Sequence, residues 1–181
     1  MRRMQLGFTL LEVVLAMTAA GICLGVAIPA YQGAVAAVHA GTAKTALGAT
    51  LLSAMTHSTM TGAEVVVCAS PDGGDCSGSI DWSSGWIAFA DLDGNRSRGA
   101  NETLLRREPA LHAGVHLRST AGRKRIVLQP QGGAAAGSNV TFTLCDRRGP
   151  AKATTLVLAN SGRLRQDKAS AASAQACLAP G

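Results

Sequence analysis

The chain has 181 residues, 47% of them hydrophobic, enough for one modest domain plus an anchor segment. Aromatics make up 3%, which excludes an aromatic-rich core and an extensive base-stacking platform. The formal charge of +6 is unevenly spread: residues 45–95 hold six acids and no Lys or Arg, whereas residues 96–168 hold fourteen Lys/Arg against four acids. That basic half is suited to a polyanion or to the acidic face of a neighbouring subunit.

The N-terminus carries Arg2 and Arg3, then runs from Phe8 to Tyr31 with Glu12 as its one charge. Those 24 residues suffice to cross a bilayer as a helix. The positive-inside rule leaves the N-terminus cytoplasmic and the remainder outside. A secretory signal has its small-residue cleavage site after the apolar run. Here Gly7 precedes the run, so cleavage after Gly7 leaves the apolar segment on the mature protein. A lone carboxylate in such a helix is costly and is therefore a functional candidate. Glu12 is the fifth residue from Phe8, near the positive end of the helix dipole and about one turn from the amine that cleavage creates. In a helical filament it can instead neutralise the terminal amine of an adjacent subunit.

The stretch Gly7-Phe8-Thr9-Leu10-Leu11-Glu12 resembles the class III signal of type IV pilins and pseudopilins. Pro29 falls where pilins often carry a helix-kinking proline. The resemblance implies a leader over residues 1–7 that a prepilin peptidase removes, N-methylation of Phe8, and assembly roles for Glu12 and Pro29. The chain is then the peptidase's substrate, not an enzyme.

Residues 8–30 form the expected transmembrane and assembly helix, and residues 31–60 an amphipathic continuation into the head. Val35, Val38, Leu47, Leu51 and Met55 recur near helical spacing, and the many alanines favour a helix. Pro29 lacks an N–H and is expected to bend or loosen the helix. After Gly62 the period changes. Strands are expected at Glu64–Ala69, Trp86–Asp91, Val115–Arg118, Arg125–Gln129, Val140–Cys145 and Thr154–Asn160, separated by Gly, Pro, Asp and Asn clusters. The fold class is α+β: a long N-terminal helix packed on an antiparallel β head spanning residues 61–181. The Ala/Ser-rich tail after Gln166 is read as loose until Cys177 ties it down.

Four of the five cysteines lie in the head, and spacing alone does not choose among their three pairings. The favoured pairing is Cys68–Cys76, bracketing a turn-rich loop, with Cys145–Cys177, implying an oxidising compartment. Zinc is disfavoured: the chain has no CxxC pair, and His112 and His116 lie away from the cysteines. Alternation would put those two histidines on one face. Asp91, Asp93, Asn95 and Glu102 fall at positions 1, 3, 5 and 12 of a calcium-loop register, but Arg96 occupies position 6, where glycine is needed, so a polar hairpin loop is the better reading. Trp82 and Trp86 read as core or loop anchors. No nucleophile–His–acid set and no phosphate-cradling glycine loop is present, so neither an enzymatic activity, a metal nor a cofactor is expected.

The order of head motifs narrows the family. Cys68…Cys76, SGWIAFADLDGNR, ETLLRRE, VHLRS, VTFTLCDRRG and LVLANSGRLR together resemble the FimT/GspH family of minor pilins and pseudopilins over most of Met1–Arg165. Within the last motif, strand alternation puts Arg163 and Arg165 on one face and Leu164 on the other, and Gly162 permits a turn. Two guanidinium forks on one face suit phosphate oxygens. The segment resembles the GRxR motif of FimT-type DNA-binding minor pilins, with Gly162, Arg163 and Arg165 at its positions. Lys168, Arg147, Arg148 and Lys152 are nearby in sequence and join the candidate set. The resemblance implies an inner-membrane protein with a periplasmic head, incorporated into an extracellular pilus with other pilins. It also implies sequence-independent binding of DNA for uptake in natural transformation. The rival reading is a solvated or subunit-facing basic strand on a structural minor pilin or type II secretion pseudopilin.

Overall fold

The structure, a computed structural model, describes Gly7 and residues 9–179. The expected cleavage and methylation at Phe8 therefore fall outside the described residues. The chain divides into two compact units, residues 1–35 and 36–181. One helix, α1 (Leu10–Thr61), contributes to both, with Pro29 inside it.

In the first unit Thr9 opens the helix: its Oγ1 accepts the Glu12 N–H at 3.3 Å, and its carbonyl accepts the Val13 N–H. The side chains that follow are apolar and exposed, Leu10, Leu15, Met17, Ile22 and Val26 among them. The most apolar 18-residue stretch of α1 is entirely unburied, and the helix is long enough to cross a membrane.

The second unit holds two four-stranded antiparallel sheets. The first has the order β3 (Leu104–Glu108), β2 (Trp86–Asp91), β1 (Glu64–Ala69), β5 (Arg125–Leu128). The second has the order β4 (Val115–Ser119), β6 (Val140–Asp146), β7 (Thr154–Leu158), β8 (Leu164–Lys168). Their inner faces meet α1 in one core that joins Leu47, Leu51, Val65, Val67, Trp86, Ile126, Phe142 and Leu158. The helix enters that core through Ala40, Ala43, Leu47, Leu51 and Ala54, at steps of three and four. Small alanines carry much of the stripe, and Val38, expected on it, is 65% exposed.

Both tryptophans are fully buried. Trp86 donates its indole N–H to Thr50 Oγ1 at 3.1 Å, and Trp82 donates to Ser119 Oγ at 3.3 Å. The Trp82 ring meets Phe142 edge-on, with centroids 4.9 Å apart. Disulfides join Cys68 to Cys76 and Cys145 to Cys177.

Three elements go beyond the sequence expectation. Strand β3 is short and carries Arg106, Arg107 and Glu108, so no apolar alternation marks it. The tail is not loose: β8 continues to Lys168, and Ala171–Leu178 forms α2. Ser170 caps α2 by accepting the Ser173 N–H, and Cys177 fastens it to β6. At its other end Arg118 Nη1 donates to the carbonyls of Ala176 and Ala179, at 2.8 and 3.3 Å.

Candidate nucleic-acid interface

The β7–β8 hairpin is set by glycine. Gly162 has φ 78°, a conformation L side chains rarely adopt, and its N–H donates to the Ala159 carbonyl at 2.9 Å. The Ala159 N–H in turn donates to the Arg163 carbonyl at 3.0 Å. A neighbouring turn leans on this one. A Cβ on Gly133 would stand 2.2 Å from the Asn160 carbonyl oxygen, and the Ala134 N–H donates to that same oxygen. Both glycines are therefore needed for the backbones to approach.

Beyond the turn the register pairs Leu158 with Leu164 and Val157 with Arg165. Leu164 packs against the core, while Arg163 and Arg165 are exposed. The outer face here is a shallow cleft of about 500 Å³ whose lining includes Arg123, Asn139, Thr141, Val157, Arg163 and Arg165. Arg123 is held in place: its Nε donates to the Asn139 carbonyl at 2.9 Å and its Nη2 to Asn139 Oδ1 at 3.2 Å. Arg165 Nε lies 3.0 Å from Asp167 Oδ2, with both side chains more than half exposed. Such a pair is weak and exchangeable. Arg163 belongs to none of the ion pairs among the described residues.

The sequence-predicted basic residues do not all gather here. Lys168 pairs with Thr154 at the far end of β8, five residues and roughly 16 Å along the strand from Arg163. Lys152 and Arg148 line a separate cleft of about 230 Å³ with Lys44. Arg148 is committed to Asp146, whose Oδ1 accepts Arg148 N–H and Nε–H and whose Oδ2 accepts Nη2–H at 2.6 Å. Burial pushes the Asp146 carboxyl up, but the Arg148 hydrogen bonds and charge outweigh it and hold it below the usual range. Arg147 is exposed and lies against Gly114. The candidate set thus splits into a hairpin group, Gly162, Arg163 and Arg165, and a distal group.

Arg123 was missed in the sequence. Its signal was the run Arg123-Lys124-Arg125 just before a strand. Lys124 and Arg125 line an adjoining cleft with Arg96. The two histidines do not share a site: His116 is exposed on β4, while His112 stacks on His39 of α1, ring centroids 3.9 Å apart.

Known proteins share the fold and the N-terminal motif. The family profile of the type II transport protein GspH matches residues 44–162, and that of the prokaryotic N-terminal methylation motif matches residues 2–28. Two crystal structures of the type IV minor pilin FimU of Pseudomonas aeruginosa share the fold. One, in space group P65, superposes with a TM-score of 0.55 at 16% identity, covering 70% of this chain and 91% of that one. The other, in space group P21, gives 0.56 at 16% identity, covering 75% and 90%. No curated protein sequence matches the chain significantly. The GspH match ends at Gly162, so Arg163 and Arg165 lie beyond it. The apolar helix with its methylation motif, the two-sheet head and the matched profile together make this chain a member of the GspH family, a membrane-anchored minor pilin or pseudopilin of the GspH/FimT type.

Proposed function

We propose that this minor pilin binds DNA through the β7–β8 hairpin and thereby supports DNA uptake in natural transformation. The observation that carries the reading is the placement of three arginines, Arg123, Arg163 and Arg165, around one open cleft on the outer face of the second sheet. Guanidinium forks bind phosphate oxygens bidentately; the edge strand β8 holds Arg165, and the hydrogen-bonded turn before it holds Arg163. The cleft has no aromatic side chain in its lining and no helix to enter a groove, so contact is with the backbone and independent of sequence. One head therefore binds modestly and with strong salt dependence, and several heads in a filament add avidity.

In this reading the N-terminus is cytoplasmic, the head is periplasmic, and Glu12 with the apolar helix serves assembly after peptidase cleavage behind Gly7. Phe8 is the methylated residue. The distal group, Arg147, Lys152 and Lys168, lies apart from this cleft and offers separate phosphate contacts; Arg148 serves chiefly to neutralise Asp146.

A second reading has one observation in its favour. Asp167 pairs with Arg165, and the acidic face of a neighbouring subunit would offer the same kind of partner. The two separate in cells. Loss of transformation with normal piliation in Arg163→Ala/Arg165→Ala supports the DNA reading; loss of piliation or secretion supports the subunit interface.

A further inference from the structure

The loop joining β2 to β3 holds a second candidate site, independent of the DNA reading. Asp91, Asp93 and Glu102 each offer a carboxylate oxygen, all within 4.8 Å of one another. Asp91 is 3% exposed and Glu102 6%. One oxygen of the Asp91 carboxylate, Oδ2, accepts the Arg96 N–H at 3.1 Å. The other, Oδ1, is buried with no hydrogen-bond partner. A buried acceptor of that kind is costly unless something positive meets it. None of the ion pairs among the described residues involves Asp91. Of the loop's two arginines, Arg98 donates Nη1 to the Gly74 carbonyl, and its Nε is buried with no hydrogen-bond partner.

The objection raised by the sequence, arginine where a calcium loop needs glycine, does not hold in the structure. Arg96 has φ 63°, the left-handed conformation for which glycine is normally required. Among the described residues it is the one non-glycine with positive φ. Glu102 reaches back across the loop, its Oε1 accepting the Leu92 N–H and its Oε2 the Gly99 N–H, both at 2.8 Å. Each carboxylate oxygen keeps a further lone pair.

We propose that Asp91–Glu102 binds one Ca²⁺ through carboxylate oxygens of Asp91, Asp93 and Glu102, with water completing the shell. The donors are all oxygen, which selects a hard cation over zinc or copper. Calcium, at about 2.3–2.6 Å from its ligands, spans oxygens up to roughly 5 Å apart; magnesium, at about 2.0–2.1 Å, spans roughly 4 Å. The bound ion gives Asp91 Oδ1 the partner it lacks. It also fixes a loop that touches the Cys68–Cys76 loop through Arg98 and strand β5 through the Arg125 bond to the Arg96 carbonyl.

The test uses the full chain in detergent micelles, stripped with EDTA and titrated calorimetrically with CaCl2 and, separately, MgCl2. Wild type is expected to bind one Ca²⁺ with Kd of about 10⁻⁴–10⁻³ M, the range of extracellular sites, and to melt at a higher temperature when loaded. Magnesium is expected to bind at least about tenfold more weakly. Asp93→Asn removes an exposed ligand and is expected to leave the melting temperature in EDTA unchanged while weakening Ca²⁺ binding about tenfold or more. Glu102→Gln is expected to weaken it similarly. No Ca²⁺ heat and no melting shift at millimolar calcium in wild type would overturn the proposal. So would a calcium response that persists at full strength in Asp93→Asn and Glu102→Gln.

Discussion

A Cβ on Gly162 would stand 3.1 Å from the Cα of Gly133 and 3.3 Å from the Met55 sulfur, so the hairpin that presents the arginines rests directly on a second turn and on α1. Gly162→Ala meets both that crowding and a positive φ. It is expected to destabilise the protein by about 1–3 kcal/mol and to weaken DNA binding by displacing Arg163. Urea unfolding and a binding titration on the same sample check both. Unchanged stability would show that the turn tolerates a side chain and does not set the arginines' position.

Neighbouring leucines on α1 separate core from surface. Leu51 is fully buried, whereas Leu52 is 60% exposed. Leu51→Ala is expected to cost about 2–5 kcal/mol through the cavity it leaves. Leu52→Ala is expected to stay within about 0.5 kcal/mol in the isolated protein. Any assembly defect in Leu52→Ala with normal stability would mark that face as a contact with other pilins.

Much of this helix–sheet arrangement was legible in the sequence, because the change from helical to alternating period after Gly62 is sharp and Glu64–Ala69 and Trp86–Asp91 are β-branched and aromatic runs. Strand β3 was not legible as a strand, since the charged run Arg106-Arg107-Glu108 follows its two leucines without alternation and it forms a sheet edge held by pairing with β2. Helix α2 was hidden because Ala and Ser carry little amphipathic signal; its placement depends on Cys177 and on Arg118, 58 residues upstream of Ala176. The hairpin arginines were visible from alternation. The third, Arg123, was not, because only the pairing of β4 with β6 and of β6 with β7 brings its loop beside the hairpin.

The tail gives its own prediction. Cys177→Ser removes the tie between α2 and β6 and is expected to cost about 2–4 kcal/mol. Limited proteolysis should then cut within 171–178, a segment expected to resist cleavage in the oxidised wild type. Equal resistance in both would show that Ser170 and Arg118 suffice to hold the helix.

Acid stability should respond to Asp146. Its carboxyl titrates below the usual value in the folded protein, so its contribution is present above the unfolded carboxylate value of about 3.9 and is lost as pH falls through the folded one. Arg148→Ala leaves a carboxylate with a side chain 2% exposed unpaired. It is expected to cost about 1–3 kcal/mol near neutral pH and to flatten the acid limb of the stability profile. Its effect on DNA affinity should be small, because Arg148 faces a different cleft from Arg163. An affinity loss as large as that of the hairpin variant would return Arg148 to the binding surface.

The most direct measurement is fluorescence anisotropy of labelled duplex DNA titrated with the full chain in detergent micelles, comparing wild type with Arg163→Ala/Arg165→Ala and with Arg123→Ala over a salt series. The account predicts binding without sequence preference, weakening as salt rises, with a log–log slope of about 0.9 per phosphate neutralised. It predicts a smaller slope and most affinity lost in the double variant, and a partial loss in Arg123→Ala. Absence of wild-type binding at low salt, or equal binding by the double variant, would contradict it and leave the basic cleft to a neighbouring subunit.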